Sequence, residues 1–232
     1  MDAILFFVVL LDFVVVLLMR AGIARIGRIF GFMGKIIRSF RIETEMQTIL
    51  PDIIFITGNM ASGKSSVAQA LAERLPRSIH LRGDLFRRMI INGQAEMAFN
   101  LSAEAQSQLQ LRYDLARVTA KRYADAGFTV VYQDIVIGAM LSEVVAAFHP
   151  YPLAVVVLCP RADVIAAREQ ARAKTGYPDR AMVDTFDRVL RFETPCLGYW
   201  LDNSDLTVPE TAERIVSHLA QTRGDAHVED II

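Results

Sequence analysis

Four residues with fixed spacing carry the clearest chemical signal in this sequence. Gly58, Gly63, Lys64 and Ser65 complete the pattern G-x-x-x-x-G-K-[ST] in the stretch "FITGNMASGKSS", residues 55 to 66. In such a loop, backbone N–H groups surround nucleotide phosphates, the lysine contacts the terminal phosphates and the serine hydroxyl binds Mg²⁺. The sequence therefore predicts an ATP and Mg²⁺ site made by Gly58, Asn59, Met60, Ala61, Ser62, Gly63, Lys64, Ser65 and Ser66.

Asp84 is the candidate general base. It follows an apolar run and a glycine in "HLRGDLFRRMI", residues 80 to 90, where a strand is predicted to end and a helix to begin. Ligands of parallel sheets bind beyond the carboxyl ends of the strands, and a carboxylate there can take the proton of an attacking hydroxyl. The alternative is that Asp84 only caps the helix that begins at Leu85.

Asp134 is the candidate metal ligand besides Ser65. It ends the strand-like stretch "FTVVYQD", residues 128 to 134, and an acid in that place can hold Mg²⁺ directly or through water. It could equally orient Ser65 or cap the following turn.

Two arginines are candidates for stabilising the transferred phosphoryl group. Arg168 and Arg172 are i, i+4 neighbours in "PRADVIAAREQARAKTGY", residues 160 to 177, a predicted helix followed by a Gly- and Pro-containing loop. Arginines on a closing lid can neutralise the charge that spreads over the phosphoryl oxygens. The alternative is a solvated helix face, in which Asp163 and Glu169 pair with these arginines.

The elements that must position these residues alternate along the chain. Apolar runs predict strands at Ile53–Thr57, Ile79–Arg82, Thr129–Gln133, Leu153–Leu158 and Tyr199–Leu201. Helical patterns lie at Lys64–Leu75, Leu85–Asn92, Ala103–Ala126, Leu141–Phe148, Ala162–Ala173, Arg180–Phe192 and Pro209–Gln221. Strands joined by crossover helices predict an α/β fold, a three-layer α/β/α sandwich with a mostly parallel five-stranded sheet.

Residues 1–45 form a separate leader in this interpretation. Ala3–Met19 is apolar except for Asp12, and residues 20 to 41 contain six basic and no acidic residues. This pattern predicts a hydrophobic helix that attaches the chain to a membrane through residues 3–40, with the following domain on the cytoplasmic face. The competing interpretation is translation from Met33 or Met46, which would leave the leader without a function.

Length and charge limit the remaining chain. Its 232 residues suit one nucleotide-binding domain, predicted at residues 46–222, with a frayed tail at 223–232. Residues 42–232 carry 19 basic and 24 acidic residues, which argues against a nucleic-acid partner. Two cysteines without metal-ligand spacing suggest neither a disulfide framework nor a zinc site. Nothing in the sequence indicates the oligomeric state.

The order of the motifs resembles one group of P-loop proteins. There is no N-K-x-D motif of GTPases and no L-S-G-G-Q signature of transporters. The P-loop followed by "RGDLFR", "YQD", "LCPRADVIAAREQAR" and "YWLDNSDLTVPETAERI" is similar to chloramphenicol-phosphotransferase-like and zeta-toxin-like kinases over residues 51–221, with adenylylsulfate kinases as more distant relatives.

This resemblance implies a sheet order of 2-3-1-4-5, ATP with Mg²⁺, Asp84 as the base and residues 202–207 beside the adenine. In adenylylsulfate kinases the stretch around the base reads D-G-D-N; here Arg82 and Leu85 replace the first acid and the Asn, so that substrate is not indicated.

The predicted function is transfer of the γ-phosphate of ATP to a hydroxyl of a small molecule. The region Leu85–Arg122 is the candidate acceptor pocket, and Lys64, Asp84, Arg168 and Arg172 are the predicted catalytic residues. Two alternatives remain open: a switch module that binds or hydrolyses ATP without kinase activity, and a zeta-toxin-like kinase of sugar nucleotides.

Overall fold

A computed structural model describes residues 50–97, 101–171, 177 and 179–229, of which 223–229 are described by their backbone alone. The predicted leader, residues 1–45, and Arg172 lie outside the described residues. Within the described part, no helix is both long and apolar enough to cross a bilayer.

The strands are β1 (Ile53–Gly58), β2 (Ser78–Arg82), β3 (Thr129–Gln133), β4 (Leu153–Leu158) and β5 (Tyr199–Leu201). They form one sheet in the order β2-β3-β1-β4-β5, and all of its pairings are parallel. The predicted fold class and strand order are therefore confirmed. All residues of β1 and β3 are buried, which explains why these two strands read as continuous apolar runs rather than alternating ones.

The helices are α1 (Lys64–Ala72), α2 (Asp84–Arg88), α3 (Ala103–Asp125), α4 (Met140–Ala146), α5 (Ala162–Gln170), α6 (Arg180–Arg188) and α7 (Val208–Glu229). A π-helix, Val189–Glu193, follows α6. Residues of α3 and α4 pack against alternate residues of β1 and β3, and α1 packs against α7 and the sheet. Phe55 stacks on Tyr132 at a centroid distance of 4.8 Å in the centre of the α3 side.

Local sequence explains where several helices begin. The Ser102 hydroxyl accepts a hydrogen bond from the Ala105 N–H at the start of α3. At the start of α7, Glu210 accepts from the N–H of Thr207 at 2.8 Å, while the Thr207 hydroxyl accepts from the N–H of Glu210 at 3.3 Å. This reciprocal pair is a capping box, so α7 begins where its sequence predicts.

Most helix ends differ from the prediction, and three of them differ by four residues or more. Helix α2 ends at Arg88 instead of Asn92, although the apolar residues Met89 and Ile91 continue the pattern; both side chains are exposed. The last turn of the predicted helix Arg180–Phe192 widens into the π-helix, whose end is tied by a hydrogen bond from the Thr194 hydroxyl to the Val189 carbonyl. Helix α7 continues past Gln221 to Glu229.

Candidate active site

The loop from Gly58 to Gly63 leaves the end of the central strand β1 and closes at the start of α1. Gly58 has φ +137°, and a Cβ on it would lie 2.3 Å from the carbonyl oxygen of Leu158, so no other residue fits. Gly63 occupies the N-cap of α1 with φ +95°. The two glycines of the motif therefore meet different requirements. Gly58 allows the loop to approach β4, and Gly63 adopts the positive φ with which the chain enters α1.

Lys64 and Ser65 occupy different environments at the start of α1. The Lys64 ammonium donates to the carbonyl oxygen of Asn59 at 2.6 Å, and its side chain is buried inside the loop. Ser65 and Ser66 are exposed. The N-cap Gly63 supplies no side chain to accept from the first N–H groups of α1, which leaves them directed at the space in front of the loop.

Several buried polar atoms in and beside the loop form no hydrogen bond with the described residues. They are both amide atoms of Asn59, the hydroxyl of Ser62 and the amide oxygen of Asn203. Buried polar groups in native proteins are nearly always paired, and unpaired ones often mark places where a ligand binds. Together with the glycine geometry and the open helix start, these atoms fit a loop that binds phosphate oxygens.

A lid, defined here as α5, Tyr177 and α6, contacts the loop through both polar and apolar groups. Arg168 donates to the carbonyl oxygens of Asn203 at 2.9 Å and of Ser62 at 3.4 Å. The Tyr177 hydroxyl donates to the carbonyl oxygen of Met60 at 3.3 Å. A buried cluster of Ile165, Tyr177 and Val183 also packs against Met60 and Ala61. The structure thus places Arg168 against the loop.

Asp84 is the first residue of α2 and lies at the carboxyl end of β2. Its Oδ2 forms an ion pair with Arg88 at 2.7 Å, and its Oδ1 lies 3.6 Å from Nε of Arg82. Oδ1 accepts no hydrogen bond from the described residues. The N-cap position belongs to Gly83, and no side chain caps this helix, so the structure does not give Asp84 the capping role that was the alternative interpretation.

Strand β3 separates Asp84 from the phosphate-binding loop. Because neighbouring strands lie about 4.8 Å apart, the ends of β1 and β2 are separated by roughly 10 Å. This separation is the one that the predicted strand order 2-3-1-4-5 implies. The gap between the two strand ends is occupied in part by the residues that follow β3.

Asp134 follows β3 in that gap and is enclosed by protein. Arg112 of α3 holds both of its carboxylate oxygens, Nε donating to Oδ2 at 3.0 Å and Nη2 to Oδ1. Tyr132 donates its hydroxyl to Oδ2, and the N–H of Ile135 donates to Oδ1. Burial raises the pKa of Asp134, while the Arg112 guanidinium and these hydrogen bonds offset part of the rise.

Both oxygens of the predicted metal ligand thus already accept hydrogen bonds. Direct coordination of Mg²⁺ would require Asp134 to exchange Arg112 for the metal. Among the described residues, no group of three His, Cys, Asp or Glu side chains converges on one point. The Ser65 hydroxyl, by contrast, is exposed at the start of α1, where a metal bound to phosphates could reach it.

The sequence did not reveal three of the contacts at this edge of the sheet. Arg112 was assigned only to the broad acceptor region, although it is the ion-pair partner of Asp134. The Thr57 hydroxyl bridges the carbonyl and the N–H of Val136 at 2.7 and 3.0 Å, which connects β1 to the chain after β3. The amide of Asn203 donates to the Ser62 carbonyl at 3.0 Å. All three join residues far apart in sequence, so no local spacing predicts them.

Comparisons with known proteins agree with this geometry. No curated protein matches the sequence. Among solved structures, the tunicamycin resistance protein of Deinococcus radiodurans is 18% identical with a TM-score of 0.55, covering 72% of this chain and 94% of that one. A gluconokinase from Sinorhizobium meliloti 1021 is 20% identical with a TM-score of 0.56, covering 78% and 98%.

The shikimate kinase of Acinetobacter baumannii, solved in complex with shikimate, is 18% identical with a TM-score of 0.53 and covers 78% of this chain and 98% of its own. At these identities the likenesses establish the fold. The family model described as AAA domain matches residues 53–195, a span that contains the phosphate-binding loop, Asp84, Asp134 and the whole lid. This chain therefore belongs to the AAA-domain family.

Proposed function

We propose that this protein transfers the γ-phosphate of ATP to a hydroxyl group of a small molecule. The observation that carries the proposal is the position of Asp84 at the sheet edge that also holds the phosphate-binding loop, with one carboxylate oxygen that accepts no hydrogen bond from the described residues. Both oxygens also face arginines, Oδ1 at 3.6 Å from Arg82 and Oδ2 at 2.7 Å from Arg88, which keep the carboxylate in place at this edge.

The loop residues would bind the nucleotide. The N–H groups of residues 59–64 and the start of α1 would surround the β-phosphate, and Lys64 would move from the Asn59 carbonyl to the β- and γ-oxygens. Ser65 would hold Mg²⁺ through its hydroxyl, and Asp134 would act on the metal through water, because both of its oxygens are engaged. When bound, Mg²⁺ supplies charge neutralisation for the phosphoryl oxygens.

Asp84 would accept the proton of the acceptor hydroxyl. The new O–P bond would form on the γ-phosphorus while the bond to the bridging oxygen breaks, and ADP would leave with the electron pair. Arg88 holds Oδ2 at 2.7 Å, and Oδ1, buried 3.6 Å from Nε of Arg82, would turn toward the acceptor to take its proton. Arg168 and Arg172 are the proposed lid arginines, and Arg168 would exchange its contact with the Ser62 carbonyl for a phosphate oxygen.

Several features support this assignment. The fold is shared with proteins named gluconokinase and shikimate kinase, which gives small hydroxyl compounds as the first acceptors to test. A tunicamycin resistance protein shares the fold as well, so antibiotics belong in the same test.

The test is a screen for an ATP-dependent mass gain of one phosphate on hydroxyl-bearing metabolites, sugar nucleotides and antibiotics. Replacing Asp84 by Asn should lower turnover of any accepted compound by about 10² to 10⁴-fold, the usual contribution of a general base, with ATP affinity retained. Asp125→Asn is the matched control, since Asp125 is an exposed acid at the end of α3, outside the candidate acceptor region, whose carboxylate accepts from the Tyr151 hydroxyl.

Two results would contradict the proposal. Unchanged turnover in Asp84→Asn would show that Asp84 is not the general base. ATP hydrolysis without any phosphorylated acceptor, equally fast in wild type and Asp84→Asn, would favour the alternative of an ATP-dependent switch. Phosphorylation confined to sugar nucleotides would instead identify the zeta-toxin-like alternative.

A further inference from the structure

Arg112 presents a fixed positive charge at the sheet edge where the acceptor would bind. Its side chain is 13% exposed and that of Asp134 is fully buried. The guanidinium uses Nε and Nη2 for Asp134, in a side-on bidentate pair. Its third nitrogen, Nη1, forms no hydrogen bond with the described residues. The ion pair therefore orients the guanidinium and leaves one donor group for a ligand.

Contacts other than those with Arg112 also fix the position of Asp134. Tyr132 and the N–H of Ile135 bind its two oxygens at 3.0 and 2.7 Å. Oδ2 also lies against Gly83, because a Cβ on that residue would come within 1.9 Å of it. Gly83 directly precedes Asp84, so the Arg112 guanidinium is anchored beside the residue that carries the proposed base.

Positive charge exceeds negative charge around this position. Asp84 is accompanied by Arg82 and Arg88, and Arg87 donates from Nη2 to the Ala95 carbonyl while its buried Nε forms no hydrogen bond with the described residues. With Arg112 this makes four guanidinium groups against three carboxylates, those of Asp84, Asp134 and Glu104, the last joined to Ala95 through Gln108. A neutral acceptor would leave that excess uncompensated, whereas an anionic one would neutralise part of it.

We propose that Nη1 of Arg112 binds an anionic oxygen group of the acceptor, so that the substrate is a hydroxyl compound that also carries a carboxylate or a phosphate. This inference rests on the proposed kinase function, because the anion is taken to belong to the phosphoryl acceptor. The anion site itself does not depend on kinase activity. Asp134 then acts as a positioning residue for Arg112. A carboxylate and a phosphate would accept the same kind of charge-assisted hydrogen bond from the Arg112 guanidinium.

The first experiment measures anion binding without any reaction. The full chain is saturated with Mg²⁺ and a non-hydrolysable ATP analogue, which fills the phosphate-binding loop, and inorganic phosphate is titrated by calorimetry. Wild type should bind one phosphate per chain. Because Arg112→Met alone would leave Asp134 buried and unpaired, the test variant is Arg112→Met combined with Asp134→Asn, which removes both charges. It should weaken phosphate binding at least tenfold.

Two further variants complete this experiment. Arg74→Met is the control, because Arg74 pairs with Glu213 outside the candidate acceptor region, and it should bind phosphate within twofold of wild type. Arg112→Lys keeps a partner for Asp134 but cannot keep the bidentate geometry, and it should also weaken binding, which covers the case in which the double variant does not fold. Unchanged binding in the folded double variant or in Arg112→Lys, or no saturable phosphate binding in wild type, would overturn the proposal.

The second experiment uses matched acceptor pairs, a hydroxy acid with its amide and a sugar phosphate with its free sugar, and detects phosphorylation by mass. The anionic member should react with at least tenfold higher kcat/KM, and Arg112→Lys should remove most of that difference between the two members. Equal turnover of both members would refute the anion site while the kinase function stands. Phosphate binding that depends on Arg112, with no acceptor phosphorylated, would refute the kinase function while the anion site stands.

Discussion

Replacing Gly83 by Ala should destabilise the protein, although the backbone conformation of Gly83 predicts the opposite. Gly83 has φ −61° and ψ −30°, a helical conformation that alanine adopts without strain. At such a position the change usually stabilises a protein by about 0.4–1 kcal/mol, because it restricts the unfolded chain. Here, however, the new Cβ would lie 1.9 Å from Oδ2 and 2.7 Å from Cγ of Asp134.

The size of the effect follows from what the displaced carboxylate holds. Inserting a methyl group into a filled core costs about 1–3 kcal/mol, and disturbing a buried ion pair adds to that cost. We therefore expect a loss of about 3 kcal/mol in the free energy of unfolding. For a domain of this size that loss lowers Tm by about 6–12 °C. Urea unfolding followed by circular dichroism measures it directly.

Measuring Gly83→Ala in two backgrounds separates its steric clash with the Asp134 carboxylate from its other effects on stability. In a background in which Asp134 is Ala and Arg112 is Met, the carboxylate is gone, so Gly83→Ala should cost less than about 1 kcal/mol there. Gly93→Ala is a control, because its Cβ would meet nothing within 4 Å and only its φ of +77° is strained. A Gly83→Ala protein that is as stable as wild type would refute the described packing of Asp134 against residue 83.

Three further predictions concern other parts of the chain. Thr57→Val should cost about 1–3 kcal/mol in urea unfolding, because it leaves the buried N–H and carbonyl of Val136 without their shared partner; a change below 0.5 kcal/mol would contradict it. Burial, followed by the charge of Arg82, lowers the pKa of His80 from its ordinary value of 6.5, so the unfolded chain binds the proton more readily and stability should fall as pH drops below about 6.5. The slope between pH 7.5 and 5.5 should shrink in His80→Gln, and an unchanged slope would exclude His80 as its source. When cells that express the chain from Met1 are fractionated, the chain should be retained in the membrane fraction through residues 3–40. A full-length product found only in the supernatant would contradict the anchor prediction.

Motifs in the sequence predicted the fold because each strand ends in a recognisable signal. The apolar runs that became β1 and β3 are buried throughout and that of β4 over its last four residues, and a covered parallel sheet is the structure that such runs form. Residues 58–66 were predictable individually, because their spacing is tied to one loop geometry. The lateral strand order came from the resemblance to known kinases and not from the pattern of the strands.

The contacts between elements could not be predicted in the same way. Arg112 and Asp134 are 22 residues apart, and their pairing depends on how α3 rotates against β3, which no local pattern specifies. The end of α2 was misjudged because Met89 and Ile91 look like core residues, yet they are 71% and 85% exposed. An apolar residue on the surface is common, so hydrophobic periodicity overestimates the length of short helices near a binding site.

The buried cluster of the lid packs on Met60 and Ala61, which connects the position of the lid with the conformation of the loop. In the proposed function the same loop residues hold the lid and enclose phosphate, so the free energies of lid packing and of nucleotide binding are coupled, and coupling of this kind is reciprocal. Any second ligand that displaces Tyr177 from Met60 must change the affinity for nucleotide, and nucleotide must change the affinity for that ligand by an equal factor. Measured dissociation constants for either one therefore have meaning only when the occupancy by the other is stated.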